Sequence, residues 1–144
     1  SNPMPPDLVI TLHACDTATD YALEYAARKN ASAILSVPCC HKEINLQLEK
    51  MKFGAENPYG IFMKYGIVRE RFASMFTDLL RCELLEKCGY SVQLLEFIDM
   101  EGTPKNLLVR AVRSNGEKKA CGQAEKILSD MKLGQTLKNL LEKK

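Results

Sequence analysis

His13, Cys15, Asp16, Thr17 and Asp20 fall within eight consecutive positions, and Pro38, Cys39, Cys40 and His41 form a second compact set. An imidazole or carboxylate so placed can take a proton from an attacking hydroxyl or amine, which makes His13, Asp16 and Asp20 the candidate bases. Asp20 or Thr17 has a plainer alternative, capping the helix that follows. The thiols of Cys15, Cys39 and Cys40 can act as nucleophiles once ionised, as a wall of a binding site, or as metal ligands. The metal reading is disfavoured: with His13 and His41 these cysteines show no C-x-x-C spacing, and adjacent cysteines chelate one ion poorly, so no metal is expected. Pro38-Cys-Cys is preferred as a tight, small-residue wall with His41 and Lys42 at its rim. A third set, Thr103, Lys105 and Asn106, either contacts substrate or simply builds a turn.

These sets act together only if the fold brings them to one edge. Leu8 to Leu12 and Ser32 to Val37 are short apolar, β-branched runs, expected as buried parallel strands. Between them a helix starts at Thr17 and ends near Asn30, with Tyr21, Ala22, Tyr25 and Ala26 at helical spacing. Lys42 to Gly66 is polar at first and predicts only one short helix, around Ile61 to Lys64. Arg69 to Cys88 predicts an amphipathic helix carrying Phe72, Met75, Phe76, Leu79, Leu80, Leu84 and Leu85, closed by Gly89 at C′. Tyr90 to Ile98 and Leu107 to Arg113 are strands joined by the eight residues Asp99 to Asn106, too few for a helical crossover, so this pair must be antiparallel. The remainder predicts helix with a break at Gly134. In an open α/β sheet the carboxyl ends of the parallel strands form the ligand-binding edge, and all three polar sets are expected there.

Composition narrows the partners. The chain has 144 residues and a formal net charge of +2, which argues against a polybasic nucleic-acid or membrane surface. No apolar run reaches the length of a membrane span. Six cysteines in so apolar a chain suit reduced thiols in the cytoplasm rather than a secreted disulfide framework. The organisation expected is a linker over residues 1–7, whose Ser1 and Asn2 resemble what tag cleavage leaves, a domain over 8–116, and a basic helical segment over 117–144 whose lysines form a solvated face.

The motifs L-H-A-C-D-x-A-T-D and P-C-C-H are similar to those of a methyltransferase-like superfamily bearing H-x-C-G-x-x-T-D and C-C-H/Y stretches. It includes eukaryotic tRNA ribose 2′-O-methyltransferases and bacterial methyltransferase-domain proteins. The bacterial group also resembles this chain at Arg69-Glu-Arg-Phe72 and Thr103-Pro-Lys-Asn106, so the resemblance runs from Leu8 to Arg113. One departure is Asp16, where many relatives carry glycine. The resemblance implies a partial Rossmann-like, class I methyltransferase α/β sheet, its strands equivalent to 4-5-7-6 with an antiparallel last hairpin. It also implies S-adenosylmethionine as methyl donor, His13, Asp16 and Asp20 as candidate catalytic groups, and Cys15, Thr17, Pro38, Cys39, Cys40, His41, Thr103, Lys105 and Asn106 as substrate contacts. An RNA acceptor is expected from the relatives, with Arg71 or Lys105 as candidate phosphate contacts. No G-x-G-x-x-G turn occurs in the chain, so the donor would be held mostly elsewhere and the isolated chain is expected to be inactive. A nucleophilic Cys15 or Cys39, as in RNA cytosine-5 methyltransferases, is a lesser alternative. Asn57-Pro-Tyr59 matches the N-P-P-Y motif of amino-group methyltransferases only in part and at the wrong strand. The rival to an enzyme is a non-catalytic α/β binding module that forms a homodimer through an exposed sheet edge.

Overall fold

The computed structural model describes residues 3–97, 106–115 and 121–143. Strand β1 (Leu8–Leu12) leads through helix α1 (Thr17–Arg28) to β2 (Ala33–Val37) and then α2 (Lys42–Lys50). A short 3-10 helix over Pro58–Met63 precedes the long α3 (Gly66–Lys87), the strands β3 (Tyr90–Phe97) and β4 (Asn106–Arg113), and helices α4 (Gln123–Asp130) and α5 (Thr136–Glu142). The sheet order is β1-β2-β4-β3. β1 and β2 are parallel, Leu12 beside Val37, while β4 runs antiparallel to both β2 and β3. The last strand is thus inserted between β2 and β3, the 4-5-7-6 order expected of a partial Rossmann-like α/β sheet.

Backbone chemistry explains the element ends. α1 closes with Asn30 at φ 57, its amide on the Ala27 carbonyl and the Ala31 amide on Ala26, so a left-handed C′ residue satisfies two orphan carbonyls. Gly89, at φ 95, closes α3 with its amide on the Glu86 carbonyl at 3.0 Å. Tyr90 then locks α1 to β3, its buried hydroxyl donating to the Ala31 carbonyl at 2.8 Å.

The helix starts are different. Asp16 Oδ1 accepts the Lys42 and Glu43 amides of α2, Glu83 accepts the Ala124 and Glu125 amides of α4, and Glu43 accepts the Thr136 amide of α5. Each carboxylate neutralises the amide-rich end of a helix distant in sequence. α2 was not anticipated: the stretch expected as mostly irregular folds over Lys42–Lys50, and the predicted turn of helix at Ile61 to Lys64 moves to Pro58–Met63.

The core lies on one face of the sheet. Leu23 and Ala26 of α1, Ile44 and Leu48 of α2, Phe76, Leu80, Leu84 and Leu85 of α3, and Leu128 and Leu137 of the last two helices are buried there together. Burying each such leucine contributes roughly 1.5–3 kcal/mol. Two expectations change accordingly. β1 is not covered on both sides: Leu8, Ile10 and Leu12 are exposed because the helices all pack on the other face. α1 buries Thr19, Asp20, Leu23 and Ala26 and leaves Tyr21 and Tyr25 outside; α3 exposes Met75 and Leu79 and buries Thr77, Asp78 and Arg81 instead. At the lysine-rich end Lys126 and Lys132 face water as expected, while Met131, Leu133 and Leu137 complete the core. Among the described residues, no helix is long and apolar enough to cross a membrane.

Candidate functional site

The parallel register places the exits of β1 and β2 side by side. The His13 amide continues the ladder by donating to the Val37 carbonyl at 3.0 Å, after which both chains turn. His13 is exposed at φ 54, and Asp16 sits at φ 49, ψ −121, backbone that favours glycine. Asp16 holds it while its carboxylate caps α2, so one side chain ties the β1 loop to the helix following the β2 loop.

This tie brings the cysteines together. Cys15 Sγ lies 3.6 Å from Cys39 Sγ and 3.8 Å from Cys40 Sγ. The thiol of Cys39 is pushed up to about 11, first by desolvation although the residue is solvent-exposed, and further by hydrogen bonds and charge coupling to Cys15 and Cys40. A thiol held protonated is a poor nucleophile, which works against the covalent cytosine-type chemistry for Cys39. Pro38 is buried behind the pair and Thr17 opens α1 half-buried.

Beneath the rim lies a polar network. Arg81 donates from Nε and Nη2 to the two Asp20 oxygens at 2.8 and 3.2 Å, from Nη1 to Asp78 at 3.1 Å, and from Nη2 to the Asp16 carbonyl at 3.0 Å. Gln135 Nε2 adds a bond to Asp20 at 2.9 Å, and His41 Nε2 meets Asp78 at 2.8 Å. Burial opposes the Arg81 charge, but hydrogen bonding and attraction from Asp20, then Asp78, hold its pKa above the ordinary arginine value. Asp20 therefore neither caps α1 nor faces a substrate: it is 1% exposed with both oxygens engaged, so the expected base at this position is corrected to a buried anchor. His41 likewise leaves the rim for Asp78. The network fixes α1, α3, α5 and the loop after β2 relative to one another.

β3 and β4 meet the same sheet edge, since Leu94 and Ser36 both pair with Val109. Thr103 and Lys105 lie outside the described residues, as does the side chain of Asn106. Arg69 binds Asn45 and Glu49 of α2, and exposed Arg71 borders an apolar cleft of about 620 Å³ with Phe72, Met75 and Leu94. Asn57 accepts the Tyr59 amide as a local cap, an ordinary structural use of that Asn-Pro-Tyr stretch.

Residues 1–47 match a family model described as a methyltransferase domain. The match takes in β1, α1, β2 and both cysteine-bearing loops, and it supports a methyltransferase domain here. Two curated relatives, each called a glutathione S-transferase C-terminal domain-containing protein, come from Macaca fascicularis and Homo sapiens. Both are 28% identical over 123 residues, covering 72% of this chain and 19% of theirs. The chain thus spans about a fifth of the length of the curated relatives it matches. No solved structure matches.

The methyltransferase-like edge includes groups not expected from sequence. Arg81, Asp78, Gln135 and Glu43 hold its loops without standing on them. Arg81 and Asp78 lie on the buried face of α3, at helical spacing from Leu84 and Leu85, and that spacing was the available signal.

Proposed function

We propose that this chain supplies the acceptor side of an S-adenosylmethionine-dependent methyl transfer, with RNA as the acceptor class. The observation that carries the reading is the convergence of the β1 and β2 exits, where His13, Cys15, Asp16, Cys39 and Cys40 share one rim. His13 is the exposed group suited to take the acceptor's proton, and Cys15, Pro38, Cys39 and Cys40 shape the wall beside it. Thr17, Thr103, Lys105 and Asn106 remain proposed substrate contacts.

The donor's grip does not fit this chain alone. A nucleoside donor needs a carboxylate for its ribose and a glycine turn for close approach. Asp20 is spent on Arg81, Asp16 directs Oδ1 at α2, and the sequence holds no G-x-G-x-x-G. We therefore propose that the isolated chain is inactive.

The test is calorimetric titration with S-adenosylmethionine of this chain and of the longest native polypeptide containing it, followed by methyl transfer to total cellular RNA. Binding and transfer are expected only from the longer polypeptide, with transfer lost in His13→Ala at unchanged donor affinity. No binding by the longer polypeptide would sink the enzyme reading. The edge of β1, unpaired among the described residues, and the exposed Leu8, Ile10 and Leu12 favour a compatible second reading, a homodimer formed across that edge.

A further inference from the structure

The thiols of Cys15, Cys39 and Cys40 all lie within 4.8 Å of one another, although Cys15 comes from a different loop. Adjacent cysteines alone would chelate weakly; the third thiol changes the geometry. Tetrahedral zinc–thiolate bonds of about 2.3 Å put neighbouring sulfurs about 3.8 Å apart. The observed separations are 3.6 and 3.8 Å. We propose that Cys15, Cys39 and Cys40 form a binding site for one zinc(II) ion, three thiolates closing one side and the fourth position left to water or a small ligand.

Three observations beyond the distances support it. The residues are solvent-accessible in part, so an ion can enter. Asp16 bonds across from the Cys15 loop to α2, holding the two loops in register without itself being a ligand. Among the described residues, no other group of three histidine, cysteine or acidic side chains comes as close. Binding needs no redox partner: each thiol gives its proton to solvent as its sulfur–zinc bond forms. Three protein ligands with one open position are the pattern of a zinc that meets substrate, rather than of a closed structural site. The proposal stands whether or not the chain takes part in methyl transfer, because its readout is the metal.

Cobalt(II) chloride is titrated into chelator-stripped protein kept reduced with a phosphine. The expected result is a thiolate-to-cobalt charge-transfer band with tetrahedral d–d bands, saturating at one equivalent and bleached by zinc(II). Cys15→Ser and Cys39→Ser should abolish the charge-transfer band, and Cys121→Ser should keep it. No band in the wild type, or one indifferent to Cys15→Ser and Cys39→Ser, overturns the site. Should the serine variants fail to fold, alkylation of the wild type decides: zinc must protect Cys15, Cys39 and Cys40 while exposed Cys121 labels as before, and equal labelling with and without zinc refutes the proposal.

Discussion

Replacing Arg81 by methionine keeps the aliphatic stem of the side chain and removes the guanidinium charge from between two carboxylates. Four hydrogen bonds go with it, two to Asp20, one to Asp78 and one to the Asp16 carbonyl. The two acids are not left equal. Asp78 retains its bond to the His41 imidazole, whereas Asp20, among the described residues, retains the neutral Gln135 amide. Both acids are 1% exposed, so water does not replace the lost partner. Breaking a buried ion pair from one side costs about 3–5 kcal/mol. For a chain of 144 residues, with an unfolding entropy of about 2.1 cal/mol/K per residue, that is a fall in Tm of roughly 10–17 °C. Urea unfolding should show a lower midpoint at unchanged slope. Adding Asp20→Asn to the Arg81→Met variant should recover more stability than adding Asp78→Asn. A loss under about 1 kcal/mol, or a further loss on adding Asp20→Asn, would refute the account of Arg81 as the counter-ion of a sealed pair.

Asp16→Ala keeps the left-handed backbone and loses the cap on α2, so urea unfolding should show a cost of about 1 kcal/mol. Asp16→Gly loses the same cap but relieves the strain, and should be the more stable of the two by about 1 kcal/mol or more; equal stabilities would contradict the strain argument. Burial, against opposing Thr136 hydrogen bonds, raises the Glu43 carboxyl above its ordinary 4.5. The folded state then holds that proton more tightly, so the contribution of Glu43 is fullest below 4.5 and declines as pH rises through the folded value. The stability of wild type relative to Glu43→Gln should fall as pH rises above about 4.5, and an increase would overturn that direction. Ile10→Lys changes a side chain that is 55% exposed, so folding should persist while self-association in sedimentation velocity weakens. A wild type that stays monomeric at every concentration would count against the homodimer.

The one-sided core gives these perturbations a common frame. α1 and α3 cover the face carrying Ile34, Val109 and Ala111, while Leu8, Ile10, Leu12, Leu95 and Phe97 on the opposite face stay exposed. A sheet bare on one side is stabilised by half the packing a doubly wound domain has, so its buried polar network and distant helix caps carry a larger share of the fold's order.

What the sequence made legible was what local rules encode, and what it hid was supplied from a distance. Strand runs, the short β3–β4 connection and the closing Gly89 each depend on neighbours, and they led to the strands and the antiparallel last pair, while the sheet order followed from the resemblance. α2 was hidden because its start has no local cap: His41 makes no side-chain bond there, and Asp16, 26 residues upstream, provides it. α4 and α5 begin at Gly122 and Gln135 with help from Glu83 and Glu43, acids 41 and 93 residues away from the amides they accept. The same holds for the thiols. In one dimension Cys39-Cys40 is a cramped chelate and Cys15 an isolated residue; Leu12 pairs in register with Val37, so Cys15 and Cys40 each stand three positions beyond paired residues. Parallel pairing, unlike spacing along the chain, is therefore what turns three scattered cysteines into one cluster, and a shift of register by a single residue would take it apart.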